Sequence, residues 1–124
     1  MNKLFIAETE DTPKVNFDAE KNIFEIVGRS LPEDATTFYQ PIIKWLNQEI
    51  TNFSGAFQLC FKLEYFNSSS AKQILQILLF LENAHLKGNN ITAKWYFSES
   101  DELMEARGKE IKSLLKLPFE IIKF

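Results

Sequence analysis

Apolar and polar residues alternate without a break from Phe57 to Tyr65. Phe57, Leu59, Phe61, Leu63 and Tyr65 fall on one side, and Gln58, Cys60, Lys62 and Glu64 on the other. A period of two predicts a strand with one buried face. The pattern breaks at Asn67, and Ser68, Ser69 and Ser70 follow. From Ala71 the apolar residues recur at helical spacing, at Ile74, Ile77, Leu78 and Leu81. Three hydroxyls therefore stand where a strand hands over to a helix. Gly88 suits a left-handed cap at the end of that helix.

The same alternation returns from Ile91 to Phe97, with Ile91, Ala93, Trp95 and Phe97 against Thr92, Lys94 and Tyr96. Ser98 or Ser100 then caps a third helix, whose first turn carries Glu99, Asp101 and Glu102. Its predicted inner stripe is Leu103, Arg107, Ile111, Leu114 and Leu115. Pro118 ends it, and Phe119 to Phe124 reads as a last strand.

Upstream, Leu4 to Ala7 predicts an edge strand. Val15 and Phe17 predict a second strand, and Ile23 to Val27 a third, ended by Gly28. Glu20, Lys21 and Asn22 form the turn of a hairpin between the last two. Ser30 and Glu33 have the spacing of a capping box. They predict a first helix to about Phe53, with Phe38, Ile42, Trp45, Leu46 and Ile50 inward. Pro41 lies inside it, where it removes a hydrogen bond and should bend the axis near Thr37 rather than divide the helix. The order is β-β-β-α-β-α-β-α-β. It predicts an α/β fold with a mixed sheet, the later strands parallel and joined by right-handed crossovers. The clean alternation predicts helices packed on one face only.

A chain of 124 residues with 45% hydrophobic residues reads as a single domain spanning 1–124. No run of about 18 apolar residues predicts a transmembrane helix. The opening MNKLFIAETED turns acidic too early for a secretory signal. A single cysteine cannot form an internal disulfide, which fits a cytoplasmic protein. A net charge of −3 gives no electrostatic footprint for nucleic acid.

No catalytic constellation stands out. His85 is the only histidine and reads as an ordinary helix residue, so no metal centre is predicted. Cys60 reads as an inert strand thiol. The four glycines form no phosphate loop, and no cofactor is implied. Glu99, Asp101, Glu102 and Glu105 read as a helix start and a solvated face. Trp45, Trp95 and the phenylalanines fall on inward phases and read as core. The serines have two compatible readings. Ser68 is a helix N-cap worth about 1 kcal/mol, or a phosphate acceptor. A phosphate there would add a charge of about −1.5 to −2 beside free N–H groups.

Several stretches bear a resemblance. TPKVNFD (Thr12 to Asp18), GRSLPEDATTFYQPIIKWL (Gly28 to Leu46), LEYFNSSSAK (Leu63 to Lys72), AKWYF (Ala93 to Phe97) and LPFEIIKF (Leu117 to Phe124) together resemble the SiaC family of bacterial regulatory phosphoproteins. That family has a fold similar to STAS domains and anti-sigma-factor antagonists. The resemblance implies a partner switch without enzymatic activity. A serine/threonine kinase with a histidine-kinase-like ATP fold would phosphorylate Ser68, and a PP2C-type phosphatase would reverse it. Ser69 is the alternative acceptor, because Ser replaces the usual Thr of the Y-x-N-[TS]-S-S motif. The unphosphorylated form would bind a downstream target such as a diguanylate cyclase. Tyr65, Asn67, Ser69, Ser70, Lys72, Arg29 and Ser30 are the expected partner-binding residues. A small-ligand or lipid sensor is the competing expectation, since STAS-like folds sometimes bind ligands and the aromatic content suits a pocket.

Overall fold

Six strands lie side by side in sequence order: β1 (Leu4–Ile6), β2 (Lys14–Asp18), β3 (Ile23–Ser30), β4 (Phe57–Phe66), β5 (Ile91–Phe97) and β6 (Phe119–Lys123). They belong to a computed structural model that describes residues 3–124, so the first two residues of the opening stretch lie outside it. The pairs β1–β2 and β2–β3 are antiparallel, and β3 through β6 run parallel. Helices α1 (Ala35–Glu49), α2 (Ser68–Leu86) and α3 (Glu102–Ser113) make the three crossovers. All three helices pack with the strands around one core on a single face of the sheet, where right-handed crossovers between adjacent parallel strands would put them. The element order and the mixed sheet agree with the alternation in the sequence.

Burial follows the same period. Along β5 every second residue is buried, from Ile91 to Phe97. On the opposite face Lys62 lays its ammonium 5.0 Å above the Tyr96 ring. The core divides into two aromatic groups. Phe17, Phe24, Trp45, Phe53 and Phe57 fill the end under α1. Phe61, Phe66, Trp95 and Phe119 fill the other.

Several expectations about the elements are corrected. Strand β3 does not stop at Gly28. The register passes from Gly28↔Leu63 to Arg29↔Tyr65, which leaves Glu64 as an extra residue. Gly28 adopts φ +123 at this bulge, a conformation that costs only glycine little. The strand therefore runs on to Ser30, which cannot serve as a helix cap. Asp34 caps α1 instead, accepting from the Thr37 N–H at 3.1 Å. Its hydrogen bonds from the Thr37 hydroxyl and backbone hold its carboxyl below the usual range.

The bulge also shifts the phase of β4. Phe66 turns to the Trp95 side, and Tyr65 is 48% exposed rather than buried. A single helix passes through Pro41 as expected, but it ends at Glu49 rather than near Phe53, with a 3-10 turn over Ile50–Asn52. In α3 the inner stripe is offset by one residue. Asp101 is the cap, Met104 and Gly108 are buried, and Leu103 and Leu114 are exposed. Gly108 decides this phase, since only a residue without Cβ fits against the Trp95 indole. Trp95 is held there by donating Nε1–H to the Met104 carbonyl at 3.0 Å.

Candidate functional site

The strand-to-helix turn after β4 gives its three serines three different environments. Asn67, not Ser68, is the N-cap of α2. Its Oδ1 accepts from the Ser70 N–H at 2.9 Å, and its carbonyl from the Ala71 N–H at 2.9 Å. Asn is among the best capping residues, and the Asn67 side chain leaves Ser68 free of that task. Asn67→Ala should cost about 1 kcal/mol, read as a lowered midpoint in thermal unfolding.

Ser68 is the first residue of the helix and is exposed. Among the described residues no hydrogen bond engages its hydroxyl. Ser69 is also exposed but donates its hydroxyl to Asn67 Oδ1 at 3.1 Å. Ser70 is fully buried.

Ser70 belongs to a chain of interior hydroxyls. Ser30 Oγ donates to Ser70 Oγ at 2.8 Å, and Ser70 Oγ donates to the Ser30 carbonyl at 3.1 Å. The proton of Ser30 is thereby committed, so the Tyr39 hydroxyl, 2.6 Å away, is the donor to Ser30 Oγ. Burial pushes the Tyr39 phenol up to about 12, against the weaker opposing effect of the serine hydroxyls, so it keeps the proton it donates. The Asn67 N–H also reaches the Ser30 carbonyl, at 3.1 Å. The end of β3, the start of α1 and the first turn of α2 are thus tied together beneath Ser68.

Of the expected partner-binding residues, Tyr65, Ser69, Lys72 and Arg29 are exposed, and Asn67 is partly buried at the turn. Arg29 and Tyr65 are register partners on adjacent strands. Ser30 and Ser70 are corrections. Both have no exposed surface, because the bulge carries β3 under the turn and their hydroxyls satisfy each other. They cannot touch a partner directly.

A groove of about 580 Å3 opens beside the serine turn, between α2 and α3. Ser68, Ala71 and Leu75 line one wall, and Leu103, Arg107, Ile111 and Leu114 the other. Glu64, Asp101 and Glu110 add carboxylates, of which Glu110 pairs with Arg107 at 3.7 Å and Asp101 caps α3. Leu103, Arg107 and Leu114, which the spacing predicts inward together with Ile111 and Leu115, are exposed and line the groove, because periodicity alone cannot say which of two overlapping stripes is buried. Tyr39 had no local signal at all, since its partners come from β3 and α2.

The remaining candidates are quiet. His85 Nδ1 bonds the Asn89 carbonyl at 2.9 Å within the end of α2. Burial raises the Cys60 thiol against the pull of Lys94 and Lys62, which disfavours the reactive thiolate. Among the described residues no group of side chains could hold a metal ion, and no helix is long and apolar enough to cross a membrane.

Comparison with known proteins places this geometry. The chain is 27% identical over 121 residues to an uncharacterized protein of Pseudomonas aeruginosa strain UCBPP-PA14, covering 98% of this chain and 96% of that one. SiaC of Pseudomonas aeruginosa superimposes with a TM-score of 0.90 at 26% identity, over 100% of both chains. A match with TM-score 0.91 and 26% identity, covering 98% of this chain and 99% of the other, is found in the crystal structure of the diguanylate cyclase SiaD in complex with its activator SiaC from the same organism. The model of the SiaC family of regulatory phosphoproteins matches residues 6–124. With the fold matched end to end and the family pattern spanning its serine turn, the chain belongs to the SiaC family of regulatory phosphoproteins.

Proposed function

We propose that this chain is a non-enzymatic cytoplasmic adaptor switched by phosphorylation of Ser68, with a fold that works like those of anti-sigma-factor antagonists. The carrying observation is the Ser68 hydroxyl itself. It is exposed, lacks an internal partner, stands at the start of a 19-residue helix and lines the groove. A kinase of the histidine-kinase-like ATP fold transfers the γ-phosphoryl group of ATP to Ser68 Oγ, the bond to ADP breaks, and the hydroxyl proton leaves. A PP2C-type phosphatase hydrolyses the ester. The free N–H groups at the helix start accommodate the added anion without unfolding the domain. Ser69 is the weaker acceptor, because its hydroxyl is engaged by Asn67.

The unphosphorylated form binds and activates a diguanylate cyclase, as the relative does in its complex with SiaD. The docking face is the groove with Tyr65, Ser68, Lys72 and Arg29 around the turn. A partner seated on Ser68 strips water from that hydroxyl at small cost, whereas burying a phosphate dianion costs far more. The groove volume is the one feature that favours a small-ligand or lipid sensor. Its charged lining and its position against Ser68 favour a protein surface instead. Adding the purified chain to the diguanylate cyclase of the same cell tests the reading. Cyclic di-GMP production should rise with the concentration of adaptor and saturate; an unchanged rate would refute the activator role.

A further inference from the structure

The hydroxyl chain under the serine turn has no place in the chemistry of phosphorylation as such, yet its members come from three different elements. Tyr39 lies in α1, Ser30 ends β3, and Ser70 is in the first turn of α2. All three are fully buried. Each hydroxyl proton has a defined acceptor, and the Ser30 carbonyl takes both the Ser70 hydroxyl and the Asn67 N–H. Two anchors therefore grip the backbone on either side of Ser68, one residue before it and two after.

We propose that the Tyr39–Ser30–Ser70 chain positions Ser68, and that these three are positioning residues for phosphoryl transfer and for partner docking. This deepens the reading of Ser68 as the acceptor and rests on it. A hydroxyl with no hydrogen bond of its own is aimed only by its backbone. Here the backbone is aimed by contacts that span 40 residues of sequence, between Ser30 and Ser70. The chain also decides which serine is available: Ser70 is locked as a strut and Ser68 is presented. Buried networks of this kind rigidify when every member is satisfied, and no buried side-chain polar atom among the described residues lacks a partner.

The test uses Tyr39→Phe, which removes one oxygen and keeps the ring, and Ser70→Ala, with Tyr96→Phe on the open sheet face as control. Amide hydrogen exchange is followed at Asn67, Ser70 and Ala71, and at Val15 and Phe17 in β2 as the distant reference. The two network variants should accelerate exchange at the turn about tenfold and at β2 less than about twofold, while the control changes neither. Equal acceleration at both places, or none at the turn, would overturn the positioning role. In parallel, the cognate kinase and ATP are given to the wild type and both variants. Labelled wild type with a severalfold slower rate in the variants supports the inference. Equal labelling rates sink it while leaving Ser68 as acceptor. A wild type labelled elsewhere sinks the reading of Ser68, and the exchange data still decide whether the chain fixes the turn.

Discussion

Ser68→Asp should weaken binding of the diguanylate cyclase by about 100-fold or more, while Ser68→Ala should stay within about threefold of the wild type. The asymmetry follows from where the side chain is. Ser68 is exposed and unpartnered in the free protein, so removing its hydroxyl breaks no internal bond. A carboxylate at the same place is not a folding defect either. The first turn of a helix favours negative charge, by about 0.3–1 kcal/mol at an exposed position. Ser68→Asp is therefore expected to unfold at the same temperature as wild type or slightly higher. Its cost arises only when a partner covers the groove mouth and the charge loses water. Truncated or unmatched charges buried in interfaces cost about 2–5 kcal/mol, and about 2.7 kcal/mol is the hundredfold loss expected. Calorimetric titration of the cyclase with the three proteins, alongside their melting curves, separates interface from stability. Equal affinities for the Asp and Ala forms would refute the switch.

Gly108→Val should destabilise the fold by about 3 kcal/mol, near the top of the usual overpacking range. A Cβ at Gly108 would lie 2.5 Å from Trp95 Cδ1 and 2.8 Å from Nε1. The indole cannot retreat easily. It is 1% exposed, is packed against Phe61, Phe66 and Phe119, and is tethered to the Met104 carbonyl. Helix propensity slightly favours Val over Gly, by a few tenths of a kcal/mol, which is too little to offset the clash. The remaining response is for α3 to lift from the sheet. That would move Leu103, Arg107 and Leu114, and so deform the groove as well as lower stability. For a domain of this size a loss of about 3 kcal/mol is about 10 °C or more in Tm. A scan with a shift under about 2 °C would mean that α3 packs less tightly on Trp95 than these distances state.

The two predictions mark the difference between what the sequence made legible and what it did not. The change of period at Asn67 located the β4–α2 turn and its serines, because a buried strand face and a buried helix stripe leave different spacings in the same few residues. The order of elements, the parallel strands and the single covered face followed from the same signal. The phase of α3 did not. Leu103, Arg107, Ile111 and Leu114 keep helical spacing, but so do Met104, Gly108, Ile111 and Leu115. The choice is made by the close approach of Gly108 to Trp95, a contact between elements.

The capping assignments failed for a related reason. Ser30 and Glu33 have the spacing of a capping box, yet the glycine bulge keeps Ser30 in the sheet and moves the cap to Asp34. The family resemblance pointed to Ser68. It could not distinguish Ser68 from Ser70 by exposure, since Ser70 is buried by Ser30 and Tyr39 from other elements. Ser30 and Ser70, expected on the partner-binding surface, are instead buried beneath the turn.

The proposed switch depends on the Ser68 hydroxyl, which is exposed and which no hydrogen bond among the described residues engages. The direct measurement is phosphosite mapping by mass spectrometry on the chain recovered from its native cells, before and after PP2C-type phosphatase treatment. The account predicts phosphate on Ser68, removed by the phosphatase, and none on the buried Ser70. Phosphate confined to another residue, Ser69 included, or a chain that stays unmodified while its kinase is active, would contradict it.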